Sequence, residues 1–194
     1  ALNLTALDQW AAPQDRPAVL LGAVLPDVPV LAFYFVCRFF FGLSDEKIWK
    51  DVYYREPWFS LVALFHSIPL TGALCLAGIA AGSTWVALLG ASMLLHNVAD
   101  MPLHAKDAHR HFYPLSNYRF KSPISYWNPT FWGRIVAAGE VVLLAGCSLY
   151  LYPALVTTWA KGAVIFANLL YVGCYVAFYL GPYGKRIFQS MAPD

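Results

Sequence analysis

The chain is 194 residues long, 59% hydrophobic and 12% charged, with a formal net charge of +2. That mixture is too apolar for an ordinary soluble domain of this length. The small charge, without any run of Lys or Arg, sets nucleic acid aside as a partner.

In chain order, residues 1–16 are mixed in character, and the polar turn Ala12-Pro13-Gln14-Asp15-Arg16-Pro17 follows. They read as a short interfacial helix and a breaker. Asn3-Leu4-Thr5 matches a glycosylation sequon. A bilayer core takes about 20 mainly apolar residues per helix. Five stretches supply them, at 18–37, 59–80, 84–101, 132–152 and 161–181. Ser44 to Pro57 joins the first two and is charged and aromatic, as expected at headgroup level. Between the third and fourth lies the longest polar segment, Pro102 to Phe131. Tyr113, Tyr118, Tyr126, Trp127 and Trp132 are its interfacial aromatics. The expectation is one all-α integral membrane domain over residues 1–194. It has about five transmembrane helices, a short N-terminal interfacial helix and a long polar loop between spans three and four, with membrane lipids as its neighbours. Cys37, Cys75, Cys147 and Cys174 fall in separate apolar stretches without C-x-x-C spacing, so they read as small buried hydrophobes.

Arg38, Lys47, Lys50 and Arg55 sit in the first connection, Lys106, Arg110, Arg119 and Lys121 in the third, and Lys185 and Arg186 in the tail. The opposite side carries only Arg16 and Lys161. The positive-inside rule then places the amino terminus outside and the carboxyl terminus in the cytoplasm. The chain opens at Ala1 with neither a methionine nor a basic n-region, so no cleavable signal is expected and upstream residues are expected to be missing.

Ionisable residues inside spans are costly and mark function by default. Asp27 lies near the middle of span one, His66 about two turns into span two, and His96 and Asp100 in the last turns of span three. All four fall near one depth. His96 and Asp100, spaced i and i+4, share a helix face, and imidazole beside carboxylate suits Zn²⁺ or a similar ion. Pro102 suits the first position of a new helix, on which His104, Asp107 and His111 would share a face while His109 and Arg110 turn away. Six metal-ligand candidates result: Asp27, His66, His96, Asp100, His104 and His111. They suffice for two ions sharing a bridging carboxylate, with an open position for an activated water. Each residue also has a plainer role. His66 suits a hydrogen bond to a neighbouring carbonyl, Asp27 suits backbone freed by Pro26, the loop histidines suit solvation, and Glu140 suits a hydrogen-bond partner.

Gly22-Ala23-Val24-Leu25-Pro26-Asp27, His66-Ser67, His96-Asn97-Val98-Ala99-Asp100 and Tyr113-Pro114-Leu115-Ser116 through Arg119-Phe120 occur in this order. Over about residues 1–130 they resemble the motifs of the bacterial membrane-bound metal-dependent hydrolases of the inner membrane. That family is distantly similar to zinc-dependent phospholipase C. The resemblance implies a bacterial inner-membrane location and makes Asp27, His66, His96 and Asp100 metal ligands. It implies a divalent metal, zinc first, in one to three ions, with a further histidine ligand upstream of Ala1. The chain departs from the family at Leu61, where many members carry a histidine, and in its richer cluster from His104 to His111.

The first functional expectation is a metal-dependent hydrolase acting on a phosphoester, with a lipid headgroup the natural substrate at the cytoplasmic interface. Asp107 would orient the water, His109 is the other catalytic candidate, and Lys106, Arg110 and Arg119 would hold the phosphate. A second is a non-catalytic accessory or assembly subunit of a larger membrane complex, with histidines contacting a haem or chlorophyll-like pigment. A third is a transporter or proton relay, disfavoured by the lack of an inverted repeat. No serine-hydrolase elbow, phosphate-binding glycine loop or dinucleotide fingerprint occurs.

Overall fold

A computed structural model describes residues 1–126, 128 and 131–181. Trp127, Lys185 and Arg186, which enter the aromatic-belt and orientation arguments, lie outside the described residues. Those described form helices and loops, with no strand among them.

Four continuous helical stretches are long and apolar enough to cross a membrane: Arg16–Phe40, Thr84–Leu103, Gly133–Ala154 and Thr158–Leu180. A fifth candidate is a pair of helices, α5 (Trp58–Phe65) and α6 (Ile68–Ala80), bent by 45° where they meet. The first stretch is interrupted too. Helix α2 (Arg16–Val24) gives way to a 3₁₀ turn over Leu25–Asp27 before α3 (Val28–Phe35) resumes. Pro26 explains the break, because it donates no N–H and its ring crowds the carbonyl four residues earlier. Pro29 then sits in the first turn of α3, where a missing N–H costs nothing. A π-helical turn, Val36–Phe40, extends α3.

The short N-terminal helix that the sequence suggests is α1 (Leu2–Leu7). It packs on α2 and on α7 (Thr84–Asp100), burying Leu4 and Leu7 in a core with Val19 and Leu88. The sequon is closed off, since the buried Asn3 amide donates to the Ser92 carbonyl at 2.7 Å and to its hydroxyl at 2.9 Å. Helices α6 and α7 form a tight hairpin through Gly82, whose φ of +65° suits the turn. Ser83 caps α7 by accepting from the Val86 N–H. A Cβ on Gly90 would lie 2.4 Å from the Cys75 nitrogen, and one on Gly22 would lie 2.6 Å from the Leu89 carbonyl oxygen. Bare backbone at both places lets α2, α6 and α7 approach more closely than side chains allow.

Helix α4 (Asp45–Lys50), capped by Ser44, lies in the first connection. Its Ile48 packs with Phe33, Tyr53 and Val62 into a second core that roofs the break in α5–α6. Helices α8 (Gly133–Leu151) and α9 (Thr158–Tyr175) pair with each other, and the stretch through α9 is almost wholly unburied. Its length and composition are those of a helix that can cross a membrane.

A candidate metal centre between two broken helices

The break at His66-Ser67 leaves backbone groups that a membrane interior cannot hydrate. Residues of α6 itself, of α7 and of the long polar segment meet them. The Asn97 amide of α7 donates to the Phe65 carbonyl at 3.2 Å, and the Thr71 hydroxyl donates to the Ser67 carbonyl at 2.8 Å. The Ile68 N–H donates to the His111 carbonyl at 2.8 Å. Ser67 accepts from the Leu70 N–H and donates to the Tyr113 carbonyl. The long polar segment is therefore folded down onto the break, with Ala105, Ala108, His109, Arg110 and His111 all buried.

This disposes of the helix expected after Pro102. Only a 3₁₀ turn, Met101–Leu103, continues α7, and residues 104–126 are turns and irregular chain. His104, Asp107 and His111 share no helix face, and His109 points into the cluster rather than away. The Ser67 hydroxyl and the Ile68 N–H recruit this loop in a conformation that helical periodicity does not describe.

At the heart of the site, Asp27 faces His66 and His96. Asp27 Oδ1 lies 3.7 Å from His66 Nε2 and 3.6 Å from His96 Nε2. Both rings are oriented through their other nitrogen: His66 Nδ1 is 3.0 Å from the Val62 carbonyl and His96 Nδ1 is 3.0 Å from the Ala23 carbonyl. A carbonyl only accepts, so each Nδ1 carries the proton, and in the neutral ring each Nε2 presents its lone pair to the carboxylate. Lone pairs facing an anion repel unless a cation stands between them. Ligands of one Zn²⁺-like ion at about 2.1 Å lie about 3.4–3.6 Å apart, close to the spacing here. Backbone carbonyls behind both rings are the support that metal-binding histidines use. His66 is fully buried, whereas the Asp27 side chain is 51% exposed, so the group is open on one side.

His66 also belongs to a second group with Asp100 and His109, whose ligand atoms lie within 4.8 Å of one another. The His66 and His109 rings stack at 4.0 Å. Asp100 Oδ2 lies 3.9 Å from His109 Nε2 and 3.6 Å from His111 Nε2. Neither ring nitrogen of His111, which is 1% exposed, has a hydrogen-bond partner. Burial pushes His109 well below its ordinary range, and the neighbouring His66 and His104 add to this, so it is neutral. Its Nδ1 lies 3.1 Å from the Tyr53 hydroxyl. When Nδ1–H donates there, Nε2 is free to bind.

His104 has a different part. Its Nε2 donates to Asp100 at 2.8 Å and its Nδ1 to Asp107 at 2.6 Å. Burial opposes the charged ring, but the bonds to Asp100 and Asp107 outweigh it and push the value up to about 10. Both nitrogens are thus occupied by protons, and in this arrangement His104 clamps two carboxylates instead of offering a metal a lone pair. Asp107 Oδ2 is spent on this clamp.

The expected phosphate-binding residues separate. Arg110 is buried and paired with Glu56 at 2.9 Å, with its guanidinium 4.2 Å above the Phe59 ring. Glu56 is held below its usual range by hydrogen bonds from Ser60 and Arg110. Arg119 donates to the Ala108 and Lys106 carbonyls, and no carboxylate among the described residues forms an ion pair with it. Lys106 is exposed. Sequence reasoning missed Tyr53 and the carbonyls of Ala23 and Val62, which orient His109, His96 and His66, and Asn97, which supports the helix break beside them. Their only sequence signal is the helix break that needs them.

Comparison with protein-family models, curated proteins and solved structures finds no match.

Proposed function

We propose that the protein is a membrane-embedded, metal-dependent hydrolase of phosphoesters, with zinc as the first candidate metal. The observation carrying this reading is the Asp27 carboxylate opposite two imidazoles whose Nδ1–H groups are anchored on backbone carbonyls. Asp27, His66 and His96 would hold the ion, with Asp100 and His109 on its inner side. A divalent ion bound there would lower the pKa of water toward neutrality and polarise a phosphoryl oxygen.

The chain's own groups supply the rest. The half-exposed Asp27 leaves an approach for substrate, and Lys106 and Arg119, which pair with no carboxylate among the described residues, are better phosphate partners than Arg110. Asp107 acts through His104, and together they orient Asp100. In the orientation we propose, the charged loops and the site face the cytoplasm of a bacterial inner membrane. A lipid headgroup is then the nearest phosphoester.

The test is elemental analysis of detergent-purified protein beside His96→Ala, followed by a phospholipid hydrolysis screen. Bound zinc or manganese lost in the variant, with lipid hydrolysis lost in parallel, supports the reading. A folded, metal-free wild type refutes it and favours a non-catalytic assembly subunit, for which the uncovered α9 would be the docking helix. A visible absorption band would point to a pigment or haem instead.

A further inference from the structure

A carboxylate can bridge two ions through its two oxygens. An imidazole with one nitrogen spent cannot. The two ligand groups of this site, Asp27 with His66 and His96 and then His66 with Asp100 and His109, are joined by an imidazole, not by a carboxylate. His66 Nδ1 is committed to the Val62 carbonyl at 3.0 Å, so only Nε2 can bind, and it can bind one ion at a time.

We propose that the site holds a single divalent cation in two overlapping positions that share His66 as the common ligand. The outer position uses Asp27, His66 and His96; the inner uses His66, Asp100 and His109. This rests on the metal reading above and replaces the two-ion arrangement that the sequence suggests. The positions differ in access. The outer carries the 51% exposed Asp27 side chain, while at the inner the Asp100 side chain is 13% exposed and that of His109 is 8% exposed. Catalytic metal sites keep an open coordination position and structural sites are closed, so the outer position is the working one and the inner one holds the ion out of reach of substrate.

A second observation points inward. His111, 1% exposed and unpartnered at both nitrogens, presents Nε2 at 3.6 Å from the same Asp100 oxygen that His109 faces. Through that oxygen it stands beside the inner group, where it is a further donor for an ion held there. The loop carrying His109 and His111 is fixed to the α5–α6 break through the His111 carbonyl, so the inner position is coupled to loop placement.

The experiment is Co²⁺ titration of the full-length chain, purified in detergent and stripped with a chelator, reading bound metal by elemental analysis and geometry by visible absorption. Wild type should bind one equivalent. Asp27→Asn and His109→Ala should each still bind one equivalent, more weakly and with visible bands unlike each other, because each confines the ion to the remaining position. His66→Ala should bind none. His66→Gln, which keeps a polar group of similar reach at the break, should also bind none while eluting as a folded monodisperse species. Two equivalents in wild type overturn the shared-ligand inference alone. So does one variant that matches wild type in affinity and bands while the other binds nothing, since that describes a single fixed position. A wild type that binds no Co²⁺ overturns the metal centre itself.

Discussion

Replacing Asp27 by Asn should stabilise the metal-free protein while weakening its response to metal. An amide nitrogen in the place of Oδ1 carries two hydrogens, and two Nε2 lone pairs lie 3.7 and 3.6 Å away. A shift of a few tenths of an ångström makes both contacts hydrogen bonds. Each is worth about 0.5–1.5 kcal/mol, and the 51% exposure of Asp27 argues for the lower end, about 1 kcal/mol in total. With metal at a hundred times its dissociation constant, wild type gains about 2.7 kcal/mol, whereas a variant binding a hundredfold more weakly gains about 0.4. The order of stability therefore reverses. Denaturant unfolding in detergent, followed by far-UV circular dichroism with chelator and then with Zn²⁺, reads both states. An Asn variant that is less stable than wild type in chelator, or that gains as much from zinc, would show that no cation site faces these rings.

Asn97→Leu fills the same space but strips the Phe65 carbonyl of its donor, and about 1–2 kcal/mol of stability should be lost; unchanged unfolding would mean the break is supported otherwise. Gly22→Ala places a methyl group 2.6 Å from the Leu89 carbonyl oxygen. It should cost about 1–3 kcal/mol and loosen metal retention through the displaced Ala23 carbonyl, which elemental analysis would detect. In the metal-free protein, His104 is raised from 6.5 to about 10. Its stabilisation is thus fully present below pH 6.5 and is lost as pH rises through about 10. Unfolding midpoints should fall across that window in wild type, and a His104→Gln variant that keeps the same slope would contradict the clamp. Arg110→Ala should release the loop from Glu56 and Phe59, and limited proteolysis should then cut within residues 104–126 faster than in wild type.

The apolar stretches were readable because a bilayer imposes one length and one composition on any helix that crosses it. Stretches beginning at residues 18, 59, 84, 132 and 161 in the sequence correspond to helices beginning at Arg16, Trp58, Thr84, Gly133 and Thr158. Asp27, His66, His96 and Asp100 were readable because charge within such stretches is costly. The loop was not. Periodicity after Pro102 suggested a helix, yet the Ile68 N–H and Ser67 hydroxyl claim the chain at His111 and Tyr113, and that claim is invisible in local pattern. His104 illustrates the same limit: the residue type is that of a ligand, and only the carboxylates on both of its nitrogens reveal a clamp.

The close seam between α6 and α7 has a consequence for assembly. Two helices joined through Gly82 and pressed together at Gly90 can enter a bilayer as one hairpin, with their backbone groups already satisfied. Helix α5 cannot follow alone, because its last carbonyl needs Asn97, which the hairpin delivers, and the Ile68 N–H needs His111, which is made later still. In chain order the loop that brings His109 and His111 is made after the walls it closes. A nascent chain stopped before residue 104 would carry Asp27, His66 and His96 with an unfinished break beneath them.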